Sequence, residues 1–243
     1  MAQAPAADQK RLLAVQEIDT AIAQARHKLD NLEAKQRLAA VQARAAQITM
    51  RRIEAETAVN DIRREVAKAA DDVQAVRARA KRDQERSMTP GMTPRELEGI
   101  QSELEALARR QAVLEEVELD VMQRLEDAEA VADGVVAESS QIDKDVAALE
   151  AEVAEQAAAI EAELAELAAK RTNEAFGLDQ GLMDLYEKLR AANGGVGAAP
   201  LHRGSCGGCR IDINAKELDA IQSRPADAIV RCEECGRILV RVQ

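Results

Sequence analysis

Ser87-Met88-Thr89-Pro90-Gly91-Met92-Thr93-Pro94 decides the fold, because the sequence on either side of it is helical for a long way. Two prolines and a glycine within eight residues stop a helix. Thr93-Pro94-Arg95-Glu96 then starts another. Thr93 can accept the free amides of the new helix, Pro94 suits its first position, and Glu96 completes a capping box.

Upstream of this break, residues 8–86 contain neither Gly nor Pro. Apolar positions recur at spacings of three and four through Val15, Ile18, Ile22, Ala25, Leu29 and Leu32, and again through Val59, Ile62, Val66, Ala69, Val73, Val76 and Ala80. That is a heptad seam. Its phase slips between Leu32 and Leu38, which predicts a local irregularity in the supercoil. Downstream, a second seam runs in one phase from Leu97 to Ile160, through Leu107, Val121, Val135, Ile142 and Leu149. Residues 1–94 carry 17 Lys and Arg against 13 Asp and Glu, while residues 95–198 carry 9 against 25. A basic arm joined by a short capped turn to an acidic arm favours antiparallel pairing within the chain, with an intermolecular coiled coil as the alternative. Closure near residue 90 places residue i opposite about 181 minus i. Residues 174–190 then extend past the first arm, and Phe176 and Tyr186, the chain's two aromatic residues, are expected to pack against whatever follows.

Composition agrees with helices and argues against one compact globule. Of 243 residues 47% are apolar, yet there is no Trp and only one Phe and one Tyr, and aromatics dominate the buried area of ordinary cores. The net charge of -11 disfavours wholesale binding to nucleic acid or to anionic membranes. No apolar run approaches the roughly 18 residues of a membrane span, and the N-terminus lacks the basic start and apolar stretch of a signal peptide. The expected location is the cytoplasm, with no membrane partner.

All four cysteines lie in the last 38 residues, as Cys206-Gly207-Gly208-Cys209 and Cys232-Glu233-Glu234-Cys235. Two CxxC pairs separated by 22 residues read as a zinc site with a slightly long middle loop. Four thiolates suit one structural zinc ion, and small residues such as Gly207, Gly208 and Gly236 let the backbone fold tightly around it. A redox CxxC and a single iron in four thiolates are the alternatives. Short β-leaning pieces at 210–213, 228–231 and 237–242 approach these knuckles, which describes a ribbon. The fold class is therefore mainly α: a long antiparallel helical hairpin (coiled coil) over residues 8–190 with its turn at 87–94, a linker at 191–199, and a small β zinc ribbon at 200–243.

These features resemble the bacterial family of coiled-coil hairpin proteins with a C-terminal four-cysteine zinc ribbon. The likeness rests on Cys206-Gly207-Gly208-Cys209-Arg210, Ile229-Val230-Arg231-Cys232 and Cys235-Gly236-Arg237-Ile238-Leu239, and on the tip Thr93-Pro94-Arg95-Glu96-Leu97, where Thr and Arg replace the family's Asn and Lys. The Ala- and Arg-rich composition suggests an actinobacterial member. The resemblance implies a helical hairpin carrying a ribbon at its base. Roles differ between lineages, with RNA binding, sigma-factor interaction and contacts with secretion components among them.

Two functions follow as expectations. The first is a nonenzymatic adaptor or chaperone-like scaffold with protein partners, whose tip residues Met88 and Met92 offer adaptable contacts. The second is RNA or DNA binding through the ribbon by Arg203, Arg210, Arg231 and Arg237, which would need these four on one face. Residues 200–243 hold seven basic residues against six acidic ones, so the ribbon is close to neutral. No catalytic residue is expected. His27 and His202 stand apart in the sequence, and a closed four-thiolate shell leaves no position for a small-molecule substrate.

Overall fold

The computed structural model describes residues 3–242. Its elements are α1 (Ala6–Asp30), α2 (Glu33–Ser87), α3 (Pro94–Ala175), α4 (Gln180–Ala192), β1 (Ala198–His202), β2 (Ser205–Cys206), α5 (Ala215–Ser223), β3 (Val230–Arg231) and β4 (Ile238–Arg241). Two compact units divide it, one of residues 37–150 and the other of residues 1–36 with 151–243.

The first unit is the hairpin. Its turn is capped as the sequence predicts: the Thr93 amide and hydroxyl both donate to Glu96 Oε2, at 2.8 and 2.7 Å. These bonds hold the Glu96 carboxyl below its ordinary range, the backbone bond contributing most. Along α3 the buried residues of this unit are Leu107, Val121, Val135, Ile142 and Leu149, all one or two heptads apart. Val135 and Ile142 close on Ile48 from α2, with Val41, Ala45 and Val146 around them.

Opposite charges meet between the arms. Arg44 and Arg51 share Glu138, Arg63 reaches Glu129, Arg77 reaches Glu115, and Arg79 reaches Glu103, while Glu65 accepts from Arg124 in the opposite sense. The numbers of the Arg44–Glu138 and Arg79–Glu103 pairs sum to 182, close to the expected 181, but those of Arg63–Glu129 and Arg77–Glu115 sum to 192. Every offset has the same sign. Side chains lean toward the N-terminus of their own helix, so in an antiparallel pair one leans from the tip and the other toward it. Partners therefore meet at higher sums than their Cα positions alone would give.

The second unit joins both helix ends to the ribbon. The phase slip after Leu32 is a break in the helix, not a bend in a supercoil. α1 ends at Asp30, the Asn31 amide bonds the His27 carbonyl, and α2 begins at Glu33. The second arm also ends sooner than the hairpin expectation of residue 190. α3 stops at Ala175, Gly177 takes a left-handed φ of 76°, and Asp179 caps α4 by accepting from the Leu182 amide at 2.8 Å. Arg11 donates to the carbonyls of Glu174 and Phe176, placing a cation where the end of α3 presents unpaired carbonyls.

This turn separates the fates of the two aromatics. Tyr186 is fully buried on α4, whereas Phe176 sits in the turn, 83% exposed, and does not take the packing role expected of it. Tyr186 packs with Leu12, Val15, Leu182 and Leu189, and with Ala198, Ile238 and Val240 from the strands. Helix ends and ribbon strands thus share one core, across the expected boundary at residue 200. The linker is shorter than residues 191–199, because α4 continues to Ala192 and β1 already begins at Ala198.

The sheet order is β2-β1-β4-β3, with β1 parallel to β4 and the outer pairs antiparallel. Of the β-leaning pieces, 228–231 and 237–242 contain β3 and β4, but 210–213 forms only an isolated bridge from Asp212 to Ser205. The long middle loop between the cysteine pairs holds α5, capped by Asn214.

Candidate metal centre

Each cysteine pair forms a knuckle, and the two have the same backbone plan. In the first, the Cys206 amide donates to the Ile211 carbonyl and the Arg210 amide to the Cys206 carbonyl. In the second, the Cys232 amide donates to the Arg237 carbonyl and the Gly236 amide to the Cys232 carbonyl. The residue after each second cysteine is left-handed, Arg210 at φ 63° and Gly236 at φ 72°. Glycine adopts that conformation freely and arginine does not. The inner glycines of the first knuckle have a steric role, since a Cβ on Gly207 would lie 2.9 Å from the Pro200 ring and one on Gly208 2.7 Å from the Arg237 side chain.

The four Sγ atoms all lie within 4.8 Å of one another. Cys206 faces Cys235 and Cys209 faces Cys232, each pair at 3.9 Å. A tetrahedral zinc with Zn–S bonds of about 2.3 Å implies sulfur separations of about 3.8 Å, so the donor set fits that ion. Cys206 and Cys232 are buried, and Cys209 and Cys235 half-buried. Burial pushes the Cys206 and Cys232 thiols up, Cys232 to about 12, the neighbouring cysteine charge adding to it. Burial acts the same way on Cys235, but hydrogen bonds from the Arg237 backbone and side chain outweigh it and bring this thiol down to about 7. Four thiols packed this closely cannot all ionise alone, and a divalent cation removes that conflict.

Of the four arginines proposed for nucleic acid, two have donors committed to the protein backbone. Arg237 donates to the carbonyls of Val196 and Asn193, tying the second knuckle to the end of α4, and Arg231 Nε donates to the Gly236 carbonyl. Arg203 and Arg210 are exposed. Both histidines, His27 and His202, are exposed as well. At the hairpin tip Met88 is 72% exposed and Met92 half-buried.

Sequence reasoning missed the polar groups that join α1, α3 and α4 and tie α1 to the linker. Asp19, 4% exposed, accepts from the Tyr186 hydroxyl at 2.7 Å and from Arg171 Nε at 2.6 Å, with Arg190 Nε at 3.6 Å. Glu187 joins Arg171 to Arg190. Gln16 spans the linker, accepting from the Gly197 amide at 2.7 Å and donating to the Gly195 carbonyl at 3.1 Å. Gly197 is obligatory there, because a Cβ would come within 2.6 Å of the Tyr186 carbonyl. The available signal was a carboxylate four residues after Val15, on the same face of an otherwise apolar seam.

Comparison with known proteins agrees with this architecture. Residues 15–194 match the CT398-like coiled coil hairpin domain and residues 205–239 the C4-type zinc ribbon domain. The chain belongs to the CT398-like coiled-coil hairpin family. A family member from Mycobacterium tuberculosis, the uncharacterized protein Rv2229c, is 32% identical over 241 residues, covering 99% of this chain and 98% of its own. A solved structure from Mycobacterium smegmatis superposes with a TM-score of 0.87 at 32% identity, covering 99% and 100% of the two chains. These mycobacterial relatives accord with an actinobacterial member of the family. CT398 from Chlamydia trachomatis shares the fold at a TM-score of 0.71 and 21% identity, covering 97% and 98%.

Proposed function

We propose that this CT398-like hairpin protein is a nonenzymatic adaptor of the cytoplasm, whose ribbon is held by one structural zinc ion on Cys206, Cys209, Cys232 and Cys235. The observation that carries this reading is the closed tetrad of thiols at tetrahedral spacing. A zinc with four protein ligands has no free position at which to activate water or polarise a substrate. The buried polar cluster around Asp19 supports the same reading, since its groups bond one another and join α1, α3 and α4. No described helix is long and apolar enough to cross a membrane.

The long helices offer exposed surfaces for protein partners. Large apolar side chains stand exposed along α3, Leu119 at 66% and Val131 at 62%, and Met88 is exposed at the tip. Amphipathic helices of a partner dock against such positions. Nucleic-acid binding by the ribbon has less support, because Arg231 and Arg237 donate to backbone carbonyls. The test is binding of the zinc-loaded protein to labelled RNA and duplex DNA across a salt series. The adaptor reading expects no binding near physiological salt. Binding that weakens as salt rises, and that is lost when Arg203 and Arg210 become Ala, would overturn it.

A further inference from the structure

Away from the cysteines, Lys10 of α1, Arg203 of the β1–β2 turn, Arg224 after α5 and Arg241 of β4 line one cleft of about 600 Å³, over Leu201 and Val240. No carboxylate is among the described residues that line it, although the chain carries 44 Asp and Glu against 33 Lys and Arg. Like charges gathered at one cleft focus a positive potential. Arg241 does not relieve it. Its two terminal guanidinium nitrogens donate to the carbonyls of Ile221, Arg224, Pro225, Ala226 and Ala228, which are neutral acceptors and leave its net charge in place. Arg241 is thus a positioning residue, holding the loop that carries Arg224. The side-chain donors of Lys10, Arg203 and Arg224 have no protein partner among the described residues.

Arg203 supplies a second, independent observation. It stands at φ 51° before Gly204 at φ 78°, as the central pair of the two-residue turn between β1 and β2. Turns of this kind favour Asn-Gly or Asp-Gly, and a long L side chain is disfavoured at the first position. An arginine in a left-handed backbone position that also lines a cleft of like charge is a candidate for function.

We propose that this cleft binds a compact polyphosphate-bearing small molecule, such as a nucleoside diphosphate or triphosphate. Lys10, Arg203 and Arg224 would hold the phosphates, and Leu218 and Val242, which keep exposed apolar surface, would lie beside the remainder. The volume falls in the ~300–1,000 Å³ range of small-molecule sites. Guanidinium forks with an ammonium suit an anion carrying several oxygens. A nucleic-acid strand offers the same phosphates, but residues 200–243 contain no aromatic side chain on which bases could stack, and the four cations converge on one cleft instead of tracking a strand. This site is separate from the metal centre and does not depend on the adaptor reading.

The experiment is calorimetric titration of the full-length zinc-loaded protein with tripolyphosphate, ADP and ATP, with inorganic phosphate as the singly phosphorylated control and a short RNA as the competing occupant. The expected result is saturable binding of the polyphosphates, weaker binding of phosphate, and roughly tenfold loss in both Arg203→Asn and Arg224→Gln. Lys144→Gln, on α3 and outside the cleft, should bind as the parent does. Arg203→Asn suits its turn better than the native residue, so its thermal midpoint should hold or rise while binding falls, which separates lost function from lost fold. The proposal is overturned if no polyphosphate saturates, if the Arg203 and Arg224 variants bind normally, or if RNA binds where the small polyphosphates do not.

Discussion

The hairpin unit and the unit that carries the ribbon are stabilised by different means. In residues 37–150 the stabilising contacts recur along two helices, and no single one dominates. Its inter-arm ion pairs are half exposed, Arg79 at 59% and Glu103 at 43%, and such pairs contribute about 0.2–1 kcal/mol each. In the other unit the contacts converge on a few groups. Asp19 and Tyr186 meet with almost no solvent access, and four cysteines organise a ribbon that has too small a core to order alone. A distributed structure tolerates single substitutions, whereas a concentrated one fails at named residues.

Cysteine substitution should have the largest effect. Structural zinc contributes about 10–16 kcal/mol of apparent free energy in small metal-dependent domains. Cys206→Ser is expected to abolish zinc retention and the ordered amides of residues 198–242, while most of the helical circular-dichroism signal survives. Loss of that helical signal together with the ribbon would mean that the two units do not differ as argued. Next in size is Asp19→Ala, which leaves the buried Tyr186 hydroxyl without its acceptor and takes one of two carboxylate partners from the half-buried Arg171 and Arg190, Glu187 remaining. Losing the shared acceptor of these donors costs about 3 kcal/mol. Denaturant unfolding followed separately in the two units should show the loss in the ribbon-bearing one.

Tyr186→Phe should act more mildly and with a pH signature. Burial, reinforced by the hydrogen bond and charge of Asp19, raises the Tyr186 phenol well above its ordinary range. A folded-state pKa above the unfolded value gives stability that is complete below the unfolded pKa, about 10, and that is lost as pH rises beyond it. Phe leaves Asp19 one donor short, at about 1–3 kcal/mol near neutral pH, and removes this tyrosine's share of the alkaline loss. Thermal midpoints of parent and variant should therefore converge between pH 7 and 11. A gap that stays constant across that range would show that the hydroxyl's protonation is not linked to folding.

The same division explains what could be read from the sequence. Periodic features were legible: the heptad seam, the capping box of Thr93 and Glu96, and the charge contrast of the arms each repeat or follow a local rule. The cysteine spacing was legible because its ligand geometry is stereotyped. The contacts of Gln16, Asp19 and Arg171 were not, because they join residues more than 150 positions apart and no local pattern encodes that. The break at Asn31–Leu32 showed only as a phase slip, and Asn is a tolerable helix residue. The segments 198–202 and 205–206 were missed as strands because Ala-Ala-Pro has poor strand propensity. Pairing with β4 and burial against Tyr186 override that preference.

The smallest expected effect is the sharpest test of the distributed half. Arg79→Ala removes the Glu103 ion pair near the tip, and Arg63→Ala removes the Glu129 pair farther along. Each should lower stability by no more than about 1 kcal/mol, and less at high salt, since exposed pairs are screened. The two sites are 16 residues apart along one helix, about 24 Å at 1.5 Å per residue. Their effects should therefore add within about 0.5 kcal/mol. A double variant that loses several times the sum of the single losses would mean that the ion pairs act as one cooperative network, and the hairpin would then be as concentrated as the unit it was contrasted with.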